Sequence, residues 1–553
     1  MDKNYILGSI SWKSNSETIK RTTKEFTNSN LKISVDRTVR NNRGKDYQYF
    51  DEKSGIYCTV LGSIYNLEEI KLKYSLNSIT DVKFIIELYT KKGLTYFNEL
   101  DGVFMIFLFD QNSGIAYLYQ PFHGMDLPIY YLSNDEKIVF STSLKSILRY
   151  CNKRDFNIEA AKDFLHFHEM VPQRQTLIQD IFKVLPGKYL KIVLKNRKIT
   201  QESIQQKSEK ISLDYAKNNL INTIESSFRN VFNLVDKKNY AITHTKGWDS
   251  NLMLYFANKI TKDTIQTITI NGGGEVNEVP FTKNIKKHYP NFRSITSDVN
   301  NDLVSQLVNI VWIYEGYLFQ EGTFLRYELA KTLKNNNIKT LIIGAPADQI
   351  LFPPKGLRKV IRDYPYIRYF LEFVLRRHTS KEHIFRKKIS KTVKHLKFDF
   401  DTDVILKMHG IMLNNSKVAI IYPFMNQQTE HISEKLGWKN YKKKFYKQKV
   451  KEILPDDVVN NISKSKNCVD TKNFMQIDYQ LLNEILNSNI CTKIITKSQR
   501  NRLIKNPKEH HLIILQLIYF YLFNELIISG KYDQLFDKSF LNLRIEEIIY
   551  GHK

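Results

Sequence analysis

The residues with the clearest chemical meaning lie in one short turn, Thr245 to Ser250 (TKGWDS). An apolar segment, 240–243, precedes the turn, and the apolar spacing from Asn251 onwards predicts a helix. A strand, a turn with a glycine and a helix start bring backbone N–H groups and the positive end of the helix dipole to one point, which favours phosphate. Asp249 adds a carboxylate for a metal ion, and Ser250 adds a hydroxyl for a phosphate oxygen.

This turn resembles the pyrophosphate loop of the ATP pyrophosphatases, and within them the asparagine synthetase family, whose loop reads Ser-Gly-Gly-x-Asp-Ser after a buried strand. Thr245 keeps the first hydroxyl and Gly247 keeps the second glycine. Asp249 and Ser250 keep the last two positions, whereas Lys246 replaces the first glycine. Lys246 either binds pyrophosphate or fills space where the backbone must approach the phosphates. The alternative is an ordinary strand-to-helix turn, because the motif is short.

A second match follows a predicted strand later in the chain, where Gly344 to Gln349 (GAPADQ) resembles the family's Gly-Glu-Gly-x-Asp-Glu. The resemblance implies that Asp249 and Asp348 hold Mg²⁺ on the phosphates of ATP. Two carboxylates suit an ion that also binds phosphate and water. Ala345 stands where the family has a glutamate or a tyrosine that manages protons on the incoming amine, and the last glutamate of the motif is a glutamine here.

The family also has a lysine shortly after a Leu-Pro pair, which steadies charge on the acyl-adenylate and pyrophosphate. Here the Leu-Pro pair at 454–455 is followed by Ser-Lys-Ser-Lys at 463–466. Lys464 fits the spacing best, and Lys466 is the fallback. We therefore predict Lys464 and Lys246 as the catalytic cations, against the alternative of a solvated lysine pair.

The resemblance implies a nucleotide site that is formed by the two matching turns and the ends of neighbouring strands. Its predicted residues are Thr243, His244, Thr245, Gly247, Asp249, Ser250, Ile270, Ile343 and Gly344, with Asp249 and Asp348 as the metal ligands. The implied ligands are ATP and Mg²⁺. In the implied reaction a substrate carboxylate attacks the α-phosphate of ATP, and an amine then displaces AMP and leaves an amide.

Short alternating apolar segments up to about residue 150 predict a β-rich layer with few helices. Fragments of this region are similar, in order, to the glutaminase domain of asparagine synthetases: LGSIYN (61–66), LDGVF (100–104), GMDLPIYY (124–131), FSTSLK (140–145) and LPGKYL (185–190). The family's glutaminases use a cysteine after the initiator methionine, but position 2 is Asp2, and Leu61 replaces an asparagine that helps to stabilise the oxyanion. One lost oxyanion donor costs roughly 3–4 kcal/mol. Glutamine hydrolysis is therefore not expected, and this domain is predicted to be a structural relic or to bind a partner.

Composition sets further bounds on the 553-residue chain, which is long enough for two or three domains. The formal net charge is +26, and much of the excess lies in 355–397, which we interpret as a solvated lysine-rich face. Nucleic-acid binding is the less favoured alternative, because no motif with aromatic interleaving stands out. Scattered cysteines and the absence of a secretory signal predict a cytoplasmic protein. The apolar run at 512–523 is too short to span a bilayer and predicts a buried helix.

Pattern and resemblance together predict two domains. The first, 1–205, is expected to be an α+β, Ntn-hydrolase-like β-sandwich layer domain of degenerate class II glutamine amidotransferase type. The second, 206–553, is expected to be an α/β parallel-sheet ATP-pyrophosphatase domain of the adenine nucleotide alpha hydrolase-like type, because strands and helices alternate there. The polar stretch 195–210 is the expected linker.

The resemblance implies an AMP-forming amide ligase without glutaminase activity, and a peptide macrocyclase similar to lasso-peptide cyclases is its specific version. Alternatives are an asparagine synthase that uses ammonia and a non-catalytic binding or scaffold descendant. The altered positions Lys246, Ala345 and Gln349 favour the scaffold, whereas the retained Asp249 and Asp348 favour catalysis. Expected partners are a small-molecule or peptide carboxylate and a protease or precursor-peptide binding protein, with no membrane span.

Overall fold

The structure is a computed structural model. It describes residues 6–11, 24–28, 31–37, 48–121, 123–151, 153–167, 174–204, 211–273, 277–289, 291–300, 302–351, 400–437, 440, 443–463, 469, 471 and 477–550. Lys464, its fallback Lys466, the basic stretch 355–397 and Asp2 lie outside these residues.

Two antiparallel sheets make up the first part of the described chain. Their strands are β1 (Ile6–Ser11), β2 (Lys24–Asn28), β3 (Leu31–Arg37), β4 (Gln48–Asp51), β5 (Ile56–Ile64), β6 (Gly102–Asp110), β7 (Ile115–Tyr119), β8 (Tyr130–Ser133), β9 (Lys137–Ser141), β10 (Ile181–Lys183), β11 (Tyr189–Val193) and β12 (Lys198–Glu202). One sheet has the order β10-β8-β9-β1-β3-β2, and the other has the order β12-β11-β7-β6-β5-β4. This arrangement confirms the predicted β-sandwich layer.

Strand β6 (GVFMIFLFD) explains how the two sheets and the nearby helices are layered. Successive side chains of a strand point to opposite faces. Met105 and Phe107 lie in the core between the sheets, where the Phe107 ring stacks on Phe140 with centroids 4.9 Å apart. Phe104 and Ile106 lie in a second core on the other face of the sheet. Helices α1 (Leu67–Tyr74) and α2 (Asp81–Lys92) cover that second core.

A five-stranded parallel sheet forms the second part. Its strands are β13 (Tyr240–Thr243), β14 (Ile265–Asn271), β15 (Phe292–Asp298), β16 (Thr340–Ile342) and β17 (Ala419–Ile421). All neighbours are parallel, in the order β15-β14-β13-β16-β17. The chain order therefore reverses between β13 and β16, and sheets of this kind bind ligands beyond the carboxyl ends of the strands at that switch point. The predicted α/β fold is confirmed.

The remaining helices cover the sheets and the core. They are α3 (Leu144–Leu148), α4 (Ile158–Phe167), α5 (Leu213–Phe232), α6 (Trp248–Ile260), α7 (Val279–Asn284), α8 (Leu303–Tyr314), α9 (Gly322–Asn335), α10 (Ala347–Leu351), α11 (Phe400–Asn415), α12 (Gln427–Leu436), α13 (Lys444–Lys451), α14 (Asp456–Asn461), α15 (Tyr479–Asn487), α16 (Asn489–Ile494), α17 (Lys497–Lys505), α18 (His511–Phe523) and α19 (Ile545–Tyr550). Most side chains of α18 are buried, which confirms the helix predicted at 512–523.

Two predicted boundaries are wrong. Helix α6 begins at Trp248 and not at Asn251, so Asp249 and Ser250 lie in its first turn. Polar residues suit a first helical turn, and apolar spacing alone therefore places the start too late. The expected linker, 195–210, contains β12, which pairs with β11. An edge strand with partly exposed side chains needs no strong apolar alternation.

The segment Pro507–Ile528, which contains α18, is the one described helix that is long and apolar enough to cross a membrane. Its most apolar window is 67% buried inside the protein.

Glu315 links the two sets of sheets. Its carboxylate accepts hydrogen bonds from the backbone N–H groups of Leu144 (2.5 Å) and Lys145 (3.2 Å). The Lys145 ammonium in turn donates to the carbonyl of Trp312 (2.7 Å). The division at residue 205 stays a prediction, since buried residues from both sides of it belong to one continuous core.

Candidate active site

A cavity of about 380 Å³ lies where β13 and β16 end, at the switch point of the parallel sheet. Its lining includes Thr243, His244, Thr245, Gly247, Asp249, Ser250, Ile270, Ile343, Gly344 and Asp348. The structure therefore brings the whole predicted nucleotide and metal set to one cavity. Lys246, one of the two predicted catalytic lysines, belongs to the turn but is not among the residues that line the cavity, and Lys464 is outside the described residues.

Hydrogen bonds within the turn hold its shape. The N–H of Thr245 donates to Ser250 Oγ (3.2 Å), and the N–H of Gly247 donates to Thr245 Oγ1 (3.1 Å). The Asn251 amide donates to the carbonyls of Gly247 (2.7 Å) and Thr245 (3.1 Å). The hydroxyls of Thr245 and Ser250, which were predicted to contact the phosphates, thus also hold the loop in shape. Asn251, which was not among the predicted site residues, holds the loop through its side-chain amide.

The start of α6 lies at the cavity and has no side-chain cap. Gly247 is the N-cap residue of this 13-residue helix, and its lack of a side chain leaves the first turn without a side-chain cap. The N–H groups of residues 248–250 have no intrahelical acceptor, as in the first turn of any helix. Together with the helix dipole they offer donors to a phosphate group at the cavity wall.

His244 supports the turn from the core side. Its imidazole is fully buried and packs near Phe281 and Phe292. Its Nε2 lies 3.2 Å from the side-chain oxygen of Asn251. The Asn251 amide nitrogen already donates to two loop carbonyls, so the oxygen faces the ring and accepts from Nε2–H of the neutral imidazole. Burial lowers the pKa of His244 to about 4. The ring therefore positions Asn251, and contact of His244 with a nucleotide stays a prediction.

We expect the free energy of unfolding to fall as the pH is lowered from about 6.5 to 4, because the His244 ring is neutral when folded and protonated when unfolded. The pKa of His244 is lower in the folded than in the unfolded protein. Folding is therefore most favourable above the unfolded pKa, and stability is lost as the pH falls towards the folded pKa. The slope attributable to one such histidine is at most about 1.4 kcal/mol per pH unit. Melting temperatures of wild type and His244→Gln across this range test it. His431→Gln, at a partly exposed histidine of α12, is the control. An unchanged slope in His244→Gln would refute the assignment.

The two predicted metal ligands meet at a lysine that the sequence analysis missed. The Lys443 ammonium lies 2.7 Å and 2.9 Å from the two carboxylate oxygens of Asp249, and 2.8 Å from Oδ1 of Asp348. The lysine side chain is only 7% exposed, whereas those of Asp249 and Asp348 are 23% and 81% exposed. Burial alone would lower the pKa of Lys443, but the two carboxylates outweigh it and raise the pKa.

The same geometry tests whether Mg²⁺ fits. Two carboxylates that one ammonium can bridge are close enough to hold one cation between them, and Asp348 reaches into solvent. No group of three or more His, Cys, Asp or Glu side chains forms a metal cluster within the described ranges. Mg²⁺ commonly uses one or two carboxylates and completes its shell with phosphate and water. Asp249 and Asp348 therefore fit a magnesium ion that arrives with a nucleotide.

Lys246 is fixed through its backbone. Its N–H donates to Oε1 of the buried Glu278 (3.1 Å), and its carbonyl accepts from the N–H of Ser463 (3.3 Å). The segment that leads into Lys464 thus runs directly beside the turn. The catalytic assignments of Lys246 and Lys464 stay predictions.

Comparisons with known proteins agree with this picture. The glutamine amidotransferase domain family matches residues 36–204. A Methanocaldococcus jannaschii protein assigned as glutamine-hydrolyzing asparagine synthetase 2 is 21% identical over 306 residues, which are 54% of this chain and 59% of that protein. Glutamine-hydrolyzing asparagine synthetase 2 of Bacillus subtilis is 22% identical over 331 residues, 54% of this chain and 43% of that protein. The chain is therefore similar to asparagine synthetases over about half of its length.

The match to relatives of the asparagine synthetase family spans about half of their length. Two solved structures, the allosteric regulatory enzyme of purine biosynthesis and the B. subtilis glutamine phosphoribosylpyrophosphate amidotransferase with ADP and GMP, are each 10% identical. They cover 64% and 62% of this chain and are themselves covered to 77% and 75%, with TM-scores of 0.25 and 0.24.

Two departures from the asparagine synthetase pattern have clear places in the structure. Leu61 is fully buried in β5, in the core between the two antiparallel sheets. Ala345 lines the cavity beside Gly344. The apolar side chain of Leu61 offers no hydrogen bond, and the small side chain of Ala345 leaves space in the cavity.

Proposed function

We propose that this protein is an ATP-dependent, AMP-forming ligase that joins a carboxylate to an amine. The observation that carries the proposal is that Asp249, Asp348 and the uncapped start of α6 meet at one cavity at the sheet's switch point. A backbone anion site beside two carboxylates suits a nucleoside triphosphate that binds with a divalent cation. The names of the relatives, asparagine synthetases, support the same reaction class.

In the proposed reaction, the residues that line the cavity have separate roles. The N–H groups at the start of α6 would hold the pyrophosphate end of ATP, where negative charge grows as the bond to the α-phosphate breaks. Ile270 and Ile343 give the cavity an apolar wall for the adenine ring. Magnesium held by Asp249 and Asp348 would neutralise phosphate charge. Attack of a substrate carboxylate on the α-phosphorus releases pyrophosphate and forms an acyl-adenylate. The amine then takes the acyl group, and AMP leaves.

The more specific proposal is a peptide macrocyclase of lasso-cyclase type without glutaminase activity. Leu61 offers no oxyanion donor, and Cys58 is buried in β5. The small side chain of Ala345 leaves room for a bulky amine. A precursor peptide would supply both the carboxylate and the amine, and a protease or a precursor-peptide binding protein would be the partner. Synthesis of asparagine from ammonia is the smaller-substrate version of the same chemistry.

One observation favours a second candidate, a non-catalytic scaffold. Lys443 already pairs with both predicted metal ligands, so each carboxylate has a cationic partner without a metal ion. A protein that no longer binds Mg-ATP would keep this arrangement unchanged.

The test is to incubate the protein with Mg-ATP labelled at the α-phosphate and with a library of peptides that carry an acidic side chain and a free amino terminus. We expect labelled AMP, pyrophosphate and a peptide product that is lighter by one water. Aspartate with ammonium in place of the peptide tests asparagine synthesis. Labelled ADP in place of AMP would contradict the adenylating class.

A further inference from the structure

Arg326 is a basic residue of the cavity that the proposed reaction does not use. Arg326 belongs to α9, which packs against β14 and β15, and it lines the cavity together with Asp249 and Gly344. The side chain as a whole is partly exposed, but its Nε and Nη1 atoms are buried and have no hydrogen-bond partner. Guanidinium stays charged at any ordinary pH, and leaving its donors unpaired away from water is unfavourable.

The described surroundings give this charge no ion-pair partner. No described carboxylate forms an ion pair with Arg326, and both aspartates of the cavity already pair with Lys443. The pKa of His409 is lowered to about 3, mainly because the ring is buried and also because the Arg326 charge is nearby. The imidazole is therefore neutral. Its Nδ1 lies 2.9 Å from the carbonyl oxygen of Ile405. Because a carbonyl oxygen can only accept a hydrogen bond, Nδ1 carries the proton of the neutral ring.

A glycine makes room for the guanidinium. A β-carbon on Gly322, one helical turn before Arg326, would lie 2.6 Å from its Nη1. Gly322 also lines the cavity. The first turn of α9 carries the positive end of a helix dipole, which disfavours a cation there. Burial, missing partners and the dipole together make this a place where an anion would be strongly stabilised.

We infer that Arg326 binds the carboxylate of the acyl substrate, and this inference rests on the function proposed above. The phosphates have their own site at α6, on another element of the fold. The planar fork of a guanidinium matches the two oxygens of a carboxylate. A carboxylate that approaches a phosphate is repelled, because both groups are negatively charged. The Arg326 guanidinium in the same cavity reduces this repulsion. The substrate class is therefore an acid whose carboxylate Arg326 orients before attack.

Calorimetry with two carboxylate probes, succinate and N-acetyl-L-aspartate, tests the inference, with and without a non-hydrolysable Mg-ATP analogue. The neutral probe is succinamide. We expect wild type to bind the acids and not succinamide, and Arg326→Met to weaken the acids by about ten-fold or more, as loss of a charged hydrogen bond implies. Gly322→Ala should weaken them too, because the added methyl group displaces the guanidinium without removing it. Lys334→Met, at an exposed lysine of α9, is the matched control.

The outcomes separate this inference from the proposed function. Loss of acid binding in Arg326→Met with unchanged affinity for the nucleotide analogue supports both. Nucleotide binding without any acid binding by wild type, or equal acid binding by wild type and Arg326→Met, overturns the inference and leaves the function standing. Loss of nucleotide affinity in Arg326→Met, with acid affinity unchanged, also overturns it, because the guanidinium would then serve a phosphate. If wild type binds the acids through Arg326 but does not bind the nucleotide analogue, the proposed ligase function is refuted and the carboxylate-binding role of Arg326 is supported.

Discussion

Replacing Lys443 by methionine is expected to lower the melting temperature by several degrees in metal-free buffer. The substitution keeps the length of the side chain but leaves Asp249 and Asp348 facing each other without a cation. Removing one partner of a buried ion pair costs about 3–5 kcal/mol, and the solvation of the largely exposed Asp348 reduces this to about 2–3 kcal/mol. The backbone of Lys443 also adopts a left-handed φ of 59°, a conformation that a non-glycine residue keeps only where its surroundings hold it.

The same variant reports on the metal site. If Asp249 and Asp348 are metal ligands, Mg²⁺ in the millimolar range should restore much of the stability of Lys443→Met and change wild type less. Scanning fluorimetry with and without Mg²⁺ measures both effects. Lys444→Met, at the adjacent exposed lysine, is the control. Equal melting temperatures for the two variants would contradict the bridging role of Lys443.

Replacing Asp249 by asparagine is expected to lower AMP formation by roughly 10²–10³-fold, the effect of losing one charge-stabilising group at a reacting centre. Asparagine has nearly the same shape, so the start of α6 should keep its structure. The measurement is the rate of AMP formation at saturating ATP with the best substrate of the peptide library. Asp263→Asn, at the exposed turn after the same helix, should retain the wild-type rate. Wild-type rates in Asp249→Asn would remove the basis for a metal-assisted reaction.

The meeting of Asp249 and Asp348 follows from the sequence by a topological rule. Each follows a short apolar strand, and parallel strands end at the same edge of a sheet. The strand at 240–243 is observed as predicted. The helix after it starts earlier than its apolar spacing suggests, because Trp248, Asp249 and Ser250 form a first turn whose residues need not face the core.

Other parts of the site depend on tertiary contacts that a linear pattern does not show. Lys443 stands in a run of three lysines, and only its spacing to the buried Tyr446 and Val450 marks it as the inward-facing one. Ser250 was expected to meet a phosphate oxygen, but its hydroxyl also satisfies the loop around it. Arg326 lies in an ordinary amphipathic helix, and no sequence signal distinguishes it from the other basic residues of that helix.

Calorimetric titration of Mg-ATP into wild type and into the double variant Asp249→Asn with Asp348→Asn shows whether these two aspartates form a magnesium-dependent nucleotide site. Both substitutions preserve shape, so the folded state of the variant can be checked beside wild type by circular dichroism. We expect saturable binding to wild type in the micromolar range that depends on Mg²⁺ and is lost in the folded double variant. No heat of binding to wild type at millimolar Mg-ATP, or equal affinity in the double variant, would contradict it.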